Sequence, residues 1–306
     1  MQAAAESLPR KTREIRDAIL DSTRWNGFKF RDGDVVIATY GKSGTTWTQQ
    51  IVGELIFRGA EPTVFASGVS PWVDARFVPL EPILERLEAQ QHRRFLKTHL
   101  PLDALVCAPQ VKYIYIGRDG RDTAWSMWNH HASFTNQAYE MINSVPGRVG
   151  PPLEKPVANI VQYFREWLDG GALQFCLDSS RLDAGQAGVK ASESFWQYNQ
   201  GWWDARHLPD VLLVHFNTLK ADLPGQMRRI ASFLNIEIEE ELWPTLVEHC
   251  TLDYMRKLSA NSPVLNALFQ EGADTFFHKG TNGRWRDAYS RGHTALRGSC
   301  TREYDS

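Results

Sequence analysis

The chain has 306 residues, enough for one large domain or two small ones, and its 42% hydrophobic and 23% charged content is an ordinary globular balance. Thirty-four basic side chains against 36 acidic ones leave a net charge of −2, so overall charge gives no support to a nucleic-acid or membrane-surface role. The four cysteines, Cys107, Cys176, Cys250 and Cys300, form neither a C-x-x-C pair nor a metal-ligand spacing; they read as reduced thiols of a cytoplasmic protein, with Cys107 and Cys176 in its core.

In chain order, residues 1–24 are charged throughout, contain no apolar run of signal-peptide length, and read as a mostly polar helical arm. No later stretch approaches the roughly 20 apolar residues of a membrane span. "DVVIAT" (34–39) is a continuous apolar, β-branched run, the pattern of a strand buried on both faces. "YGKSG" follows, and a helix is expected from Thr45 to about Arg58. Strand, glycine-containing loop and helix are the arrangement a phosphate loop needs. A full Walker loop would carry another glycine at position 36, where this chain has Val36. In the loop, Gly41 and Gly44 let the backbone curl, and the amides of Lys42 to Thr46 point inward at the positive end of the helix. Lys42 adds charge there, and Ser43, Thr45 and Thr46 add hydroxyls.

Further strands are expected at 93–101, 112–118 and 211–216. Helices are expected after Arg118 and over 224–235 and 240–250, the last limited by Pro244. Residues 143–157 carry four prolines and read as an extended loop or lid; 178–192 are also loop-like. Alternating strands and helices predict an α/β fold with a central, mostly parallel sheet flanked by helices. With no linker in view, residues 1–306 read as one domain ending in a tail at 288–306. His92, His130 and His131 lack the carboxylate or thiol spacing of a metal site; His130 and His131 read as pocket or surface residues, and Trp202-Trp203 as core.

Four blocks carry a resemblance. "YGKSGTTW" resembles the 5′-phosphosulfate loop, Y-P-K-S-G-T-T-W, of the cytosolic-type sulfotransferase family, with Gly41 in place of the proline. "FLKTHLP", "YIGRDGRDTAWSMWNH" and "FFHKGTNGRWRD" resemble three more family blocks in the same order, and "SFWQYNQGWW" and "VEHCTLDYMRK" fit between them, over about residues 33–287. The resemblance implies a P-loop-like sulfotransferase fold. It also implies sulfuryl transfer from 3′-phosphoadenosine-5′-phosphosulfate (PAPS), with release of adenosine 3′,5′-bisphosphate (PAP) and no metal. His99 is implied as the base, and Lys42 and Lys97 as cations at the sulfuryl group. Lys42, Ser43, Gly44, Thr45 and Thr46 would cradle the 5′-phosphate. Arg118 and Ser126, with His278, Lys279 and Gly280, would hold the 3′-phosphate. Trp47, Phe216, Thr251 and Leu252 would meet the adenine.

Three departures stand out. His278 replaces the family's late arginine. Phe216 replaces a tyrosine at the adenine, a loss of about 0.5–1.5 kcal/mol if one hydrogen bond goes. Leu252 replaces the aromatic opposite Trp47, which predicts one-sided stacking. The family's C-terminal dimer motif is not visible after Trp285. The acceptor is expected to be a partly apolar small molecule offering a hydroxyl, less readily an amine. That expectation rests on the aromatic residues near 72–78, 125–139 and 195–203, and on the Pro-rich lid. The loop alone leaves two alternatives, a P-loop kinase or nucleotidase using ATP and Mg²⁺, and a non-catalytic nucleotide-binding protein. Against the first, no acidic residue clearly closes an apolar strand as a metal holder.

Overall fold

The computed structural model describes residues 8–60, 68–147, 149–170 and 194–286. Four strands, β1 (Val35–Thr39), β2 (Phe95–Thr98), β3 (Lys112–Gly117) and β4 (Val211–His215), form one sheet in the order β2-β1-β3-β4. Every pairing is parallel, with Ile37 opposite Lys97 on one side and Ile114 on the other. The four ends that follow Thr39, Thr98, Gly117 and His215 therefore open on the same edge, where open α/β sheets bind ligands.

The apolar run of β1 is explained by its position: all five residues are buried. Alternate side chains serve two cores. Val36, Ala38, Tyr113 and Tyr115 face one, and Val35, Ile37, Ile114 and Ile116 the other. The second core is closed by α1 (Thr45–Phe57) and, further on, by α8 (Leu223–Phe233) and α9 (Trp243–His249), through Ile51, Leu55, Met227, Ile230 and Leu246. The first core takes in α2 (Leu80–Ala89), α3 (Gly120–Ala132), α4 (Asn136–Asn143), α5 (Ile160–Gly170) and α6 (Phe195–Asp204). Trp202 of α6 stacks on Tyr115 with centroids 5.2 Å apart and planes 6° from parallel. Fully burying a large apolar side chain stabilises by about 1.5–3 kcal/mol. Four short helices, α7 (Phe216–Ala221), α10 (Leu252–Ser259), α11 (Pro263–Leu268) and α12 (Ala273–Phe277), gather over the ligand-binding edge.

At the opposite edge, Arg94 forms a buried two-point pair with Asp34, its Nε 2.9 Å from Oδ1 and its Nη2 2.5 Å from Oδ2. The pair fixes the starts of β1 and β2 to one another; removing one partner would leave a buried charge, at about 3–5 kcal/mol.

Several segments differ from the sequence expectation. Residues 8–21 contain no helix; a short 3₁₀ turn occupies Ser22–Trp25. Asp17 Oδ1 accepts the N–H groups of Ile19 and Leu20, both at 2.7 Å, a local turn that competes with helix formation. Ala18, Ile19 and Leu20 are consecutive and all buried, which no single helix face allows. Cys107 is only half-buried, and Trp203 is 54% exposed although Trp202 is core. Cys176, the loop at 178–192 and the tail at 288–306 lie outside the described residues.

Candidate active site

A cavity of about 690 Å³ opens at the carboxyl edge of the sheet. Its walls include six Lys or Arg residues (Lys42, Lys97, Arg118, Lys220, Lys279 and Arg284) and one carboxylate, Asp122, among the described residues. Like charges held together in a part-buried site repel, so such a set favours a ligand with several negative charges.

The β1–α1 loop supplies one wall. Gly44 precedes α1 with φ 122°, a value open to glycine, and a Cβ there would meet Phe216 Cδ2 at 3.0 Å. Lys42 also has positive φ, 64°. Arg118 Nη1 donates to the Lys42 carbonyl at 2.9 Å and holds that conformation. Gly41 is not among the positive-φ residues, so the loop does not require glycine where the family motif has proline. The hydroxyl of buried Ser43 and the Nε of Arg118 have no protein partner; Arg118 lines the cavity, whereas Ser43 lies behind its wall. Thr45 Oγ1 lies 2.5 Å from Thr39 Oγ1. Lys42 Nζ lies 3.2 Å from His130 Nδ1 and 5.0 Å from the Phe276 ring centre. Burial, then Arg118 and Lys97, pull its pKa down to about 7.

His99 follows β2 and is 8% exposed. Its Nδ1 is 2.7 Å from the Thr39 carbonyl oxygen. A carbonyl only accepts, so Nδ1 carries the proton and Nε2 keeps a lone pair. Burial and the neighbouring Lys97 hold the ring well below its usual pKa, so it is neutral near pH 7. Lys97 also lines the cavity, its Nζ 4.2 Å from the Trp72 ring centre, and burial pulls it down to about 8. Spacing alone put Lys97 and His99 on one side of the strand, and both face the cavity.

Asp74 supports this corner from the 72–78 stretch, which the sequence reading singled out only for its aromatic residues. Pro71 and Trp72 run beside the free edge of β2. They bring the fully buried Asp74 carboxylate to the Trp72 indole at 2.7 Å, the Trp25 indole at 3.1 Å and the His99 backbone N–H at 3.1 Å. Trp72 meets the His99 ring edge-on, centroids 4.8 Å apart. No spacing in the sequence marks this aspartate.

The rest of the lining falls into two parts. Toward the late segment, Arg118 Nη2 donates to Asn282 Oδ1 at 2.9 Å, and its guanidinium lies 4.2 Å over Phe216. Asp122 accepts the Gly283 N–H at 2.7 Å instead of pairing with Arg118. Ser126, His278, Lys279 and Gly280 line the same wall. Gly280 has φ 59°, and a Cβ there would meet Leu252 at 2.5 Å. Phe216 packs edge-on against Trp47, centroids 5.4 Å apart, and Leu252 lines the wall beside them. Thr251 does not line the cavity; its hydroxyl accepts the Tyr254 N–H and donates to Glu248, capping α10. Arg284, which the sequence reading also missed, reaches His278 from six residues downstream.

The other part is apolar. Leu20, Phe77, Met141, Leu268, Phe269 and Phe276 come from the N-terminal segment, the loop before α2, and the helices α4, α11 and α12 or their flanks. The stretches near 72–78 and 125–139 contribute, whereas Phe195, Tyr198 and Trp202 are core. His130 lines the cavity and His131 is buried behind it. The described part of the Pro-rich 143–157 segment is tied down: Asn143 bonds both the N–H and the carbonyl of Leu153, and Trp128 donates to Val157. The helix before it, α4, forms the wall instead.

Residues 32–295 match the family model described as the sulfotransferase domain. A glycolipid sulfotransferase of Mycobacterium tuberculosis is 34% identical over 283 residues, covering 90% of this chain and 86% of that protein. Mouse sulfotransferase 1B1 is 27% identical over 288 residues, covering 90% and 83%. A crystal structure of retinol dehydratase with androsterone and the inactive cofactor PAP has the same fold, with TM-score 0.63, 23% identity, and coverage of 87% of this chain and 78% of that one. Mouse sulfotransferase SULT7A1 complexed with PAP shares it at TM-score 0.57 and 18% identity, covering 90% and 82%.

Proposed function

The chain belongs to the sulfotransferase family and is a sulfuryl-transfer enzyme, and we propose that His99 is its base, acting with Lys42 and Lys97 on a donor held across the loop and the late segment. The observation that carries this reading is the His99 ring. With Nδ1 committed to the Thr39 carbonyl, a neutral imidazole keeps the Nε2 lone pair, in a cavity that Lys42 and Lys97 also line.

PAPS fits the residues present: it is a polyanion for a cationic cavity, and it supplies the sulfuryl group. Ser43, Gly44, Thr45 and Thr46 would meet its 5′-phosphate, with Arg118, Ser126, Lys279 and Gly280 at the 3′-phosphate. Trp47, Phe216 and Leu252 would border the adenine, and the capping role of Thr251 leaves that residue out. His99 Nε2 would take the proton of the acceptor hydroxyl as its oxygen bonds to the sulfuryl sulfur and the bond from that sulfur to the 5′-phosphate oxygen breaks, so that PAP leaves with the electron pair. Lys42 and Lys97 offset the charge that builds on the oxygens around the transferred group. A sulfuryl group carries less negative charge than a terminal phosphoryl group, so lysines and amides suffice for it without a metal ion.

The acceptor in this proposal is a molecule with an apolar body and a hydroxyl, less readily an amine. The apolar walls support it, as does the M. tuberculosis relative named for glycolipids. The retinol dehydratase and SULT7A1 complexes with PAP support the choice of donor. No helix among the described residues is long and apolar enough to cross a membrane. Calorimetric titration in EDTA tests the nucleotide: PAP is expected to bind more tightly than ATP. Binding of ATP without binding of PAP would return the chain to the kinase or nucleotidase alternative.

A further inference from the structure

Arg284 is a cavity-lining guanidinium that the site assembled so far does not use. It sits in the late segment after Gly283, whose N–H is fixed by Asp122 on α3. Its Nη1 is 2.8 Å from His278 Nδ1, and its guanidinium lies 5.3 Å from the Trp125 ring centre, on the residue before Ser126. It therefore bridges the two segments that close this corner, α3 and the 278–284 turn.

Arg284 makes no ion pair with a carboxylate among the described residues. Its nitrogen donates instead to an imidazole, which can accept only in its neutral form. Burial and the nearby cations Arg284, Lys279, Lys42 and Arg256 favour that neutral form of His278. The corner thus holds a permanent cation on a neutral histidine. A guanidinium presents several donors in a planar fork, so one can rest on His278 while others meet a phosphate.

We propose that Arg284, and not His278, supplies the charge that binds the donor's 3′-phosphate at the corner formed by Arg118, Ser126 and Lys279. His278 serves as the acceptor that orients it. This inference rests on the donor reading above and assigns one residue within it.

Comparing two ligands isolates the 3′-phosphate: adenosine 3′,5′-bisphosphate carries it and adenosine 5′-monophosphate does not. The dissociation constant of each is measured by calorimetry for the wild-type chain and for Arg284→Gln. The wild type is expected to prefer the bisphosphate. Arg284→Gln should cut that preference by about tenfold or more, the usual worth of a charge-assisted contact to phosphate, while its affinity for the monophosphate stays within about twofold. The unchanged monophosphate affinity also reports that the variant is folded. A wild type with no preference for the bisphosphate would sink the donor reading itself. A wild type with the preference, and an Arg284→Gln variant that keeps it, would overturn the assignment alone. Equal loss of both ligands would overturn it too, since Arg284 would then be supporting the whole site.

Discussion

The two ends of the cavity are built in different ways. The donor end comes mainly from short stretches directly after the parallel strands and from the late turn, and its polar groups have defined partners: Arg118 on the Lys42 carbonyl, His99 on the Thr39 carbonyl, Asp122 on the Gly283 amide. The acceptor end is gathered from the N-terminal segment, the loop before α2, and α4, α11 and α12, and offers mostly side-chain surface: Leu20, Phe77, Met141, Leu268 and Phe269. Directional bonds fix the donor end to one geometry, and apolar contact, which has no direction, leaves the acceptor end free to be reshaped without disturbing the chemistry.

Substitutions at the two ends should therefore separate in kinetics. The largest effect is expected from His99→Ala, a fall in kcat of about 10²–10⁴-fold with PAP affinity retained, because the base acts on the acceptor's proton and not on the nucleotide. Lys42→Ala is expected to cost at least about 10²-fold in turnover, and unlike His99→Ala it should also weaken PAP binding. Steady-state rates with PAP titrations check both, and a His99→Ala enzyme of near-normal rate would break the division of labour.

Asp74→Asn should come next. The buried carboxylate accepts from two indoles and from the His99 amide, and an asparagine NH₂ would face at least one of these donors. A loss of about 1–3 kcal/mol in unfolding free energy is expected in denaturant titration. Stability equal to wild type would show that the carboxylate is not holding this corner.

The pH dependence of PAP affinity sharpens the electrostatic side. Lys42 is pulled down to about 7 and Lys97 to about 8. A bound anion favours the charged lysine and raises both values, so binding takes up protons once the free lysines have begun to lose theirs. PAP affinity should fall as pH rises from about 7 toward 9, by up to about tenfold per pH unit for each lysine. Calorimetry in buffers of different ionisation enthalpy reads the proton uptake directly. A flat profile would mean that both lysines stay charged throughout.

The smallest effect belongs to the apolar end. Leu268→Ala should raise the acceptor KM about fivefold to thirtyfold through lost apolar burial, with PAP affinity unchanged. A change in PAP affinity of the same size would show that the two ends are coupled.

The same contrast explains what could be read in the sequence. The strands were legible because burial on both faces demands continuous apolar runs, as at Val35–Thr39, and the loop because glycine, lysine and hydroxyls must follow such a strand closely. Lys42, His99, Arg118 and Ser126 do come together in one cavity. Asp74 was not legible, because its role comes from Pro71 and Trp72 running beside β2, a tertiary event with no local signature. Arg284 lay in view within "HKGTNGRW", but only the fold of that turn aims it at His278. The N-terminal arm was misread because its charges suggested a solvated helix, whereas Asp17 turns the chain and buries Ala18, Ile19 and Leu20. Phe195 and Tyr198 of α6 belong to the core and not to the pocket, and the sequence could not tell the two apart for a related reason: an aromatic cluster looks alike whether it fills a core or lines a cleft.

The central claim is that one cavity brings a sulfuryl donor to a hydroxyl under the control of His99. It is tested most directly by transfer of labelled sulfate from PAPS, in EDTA, to a panel of phenols, aliphatic alcohols, amines and glycolipids, with wild type and His99→Ala side by side. The account predicts a labelled acceptor and stoichiometric PAP from the wild type, and transfer lower by at least about 10²-fold from a His99→Ala enzyme that still binds PAP normally. Equal transfer by the two proteins would contradict it.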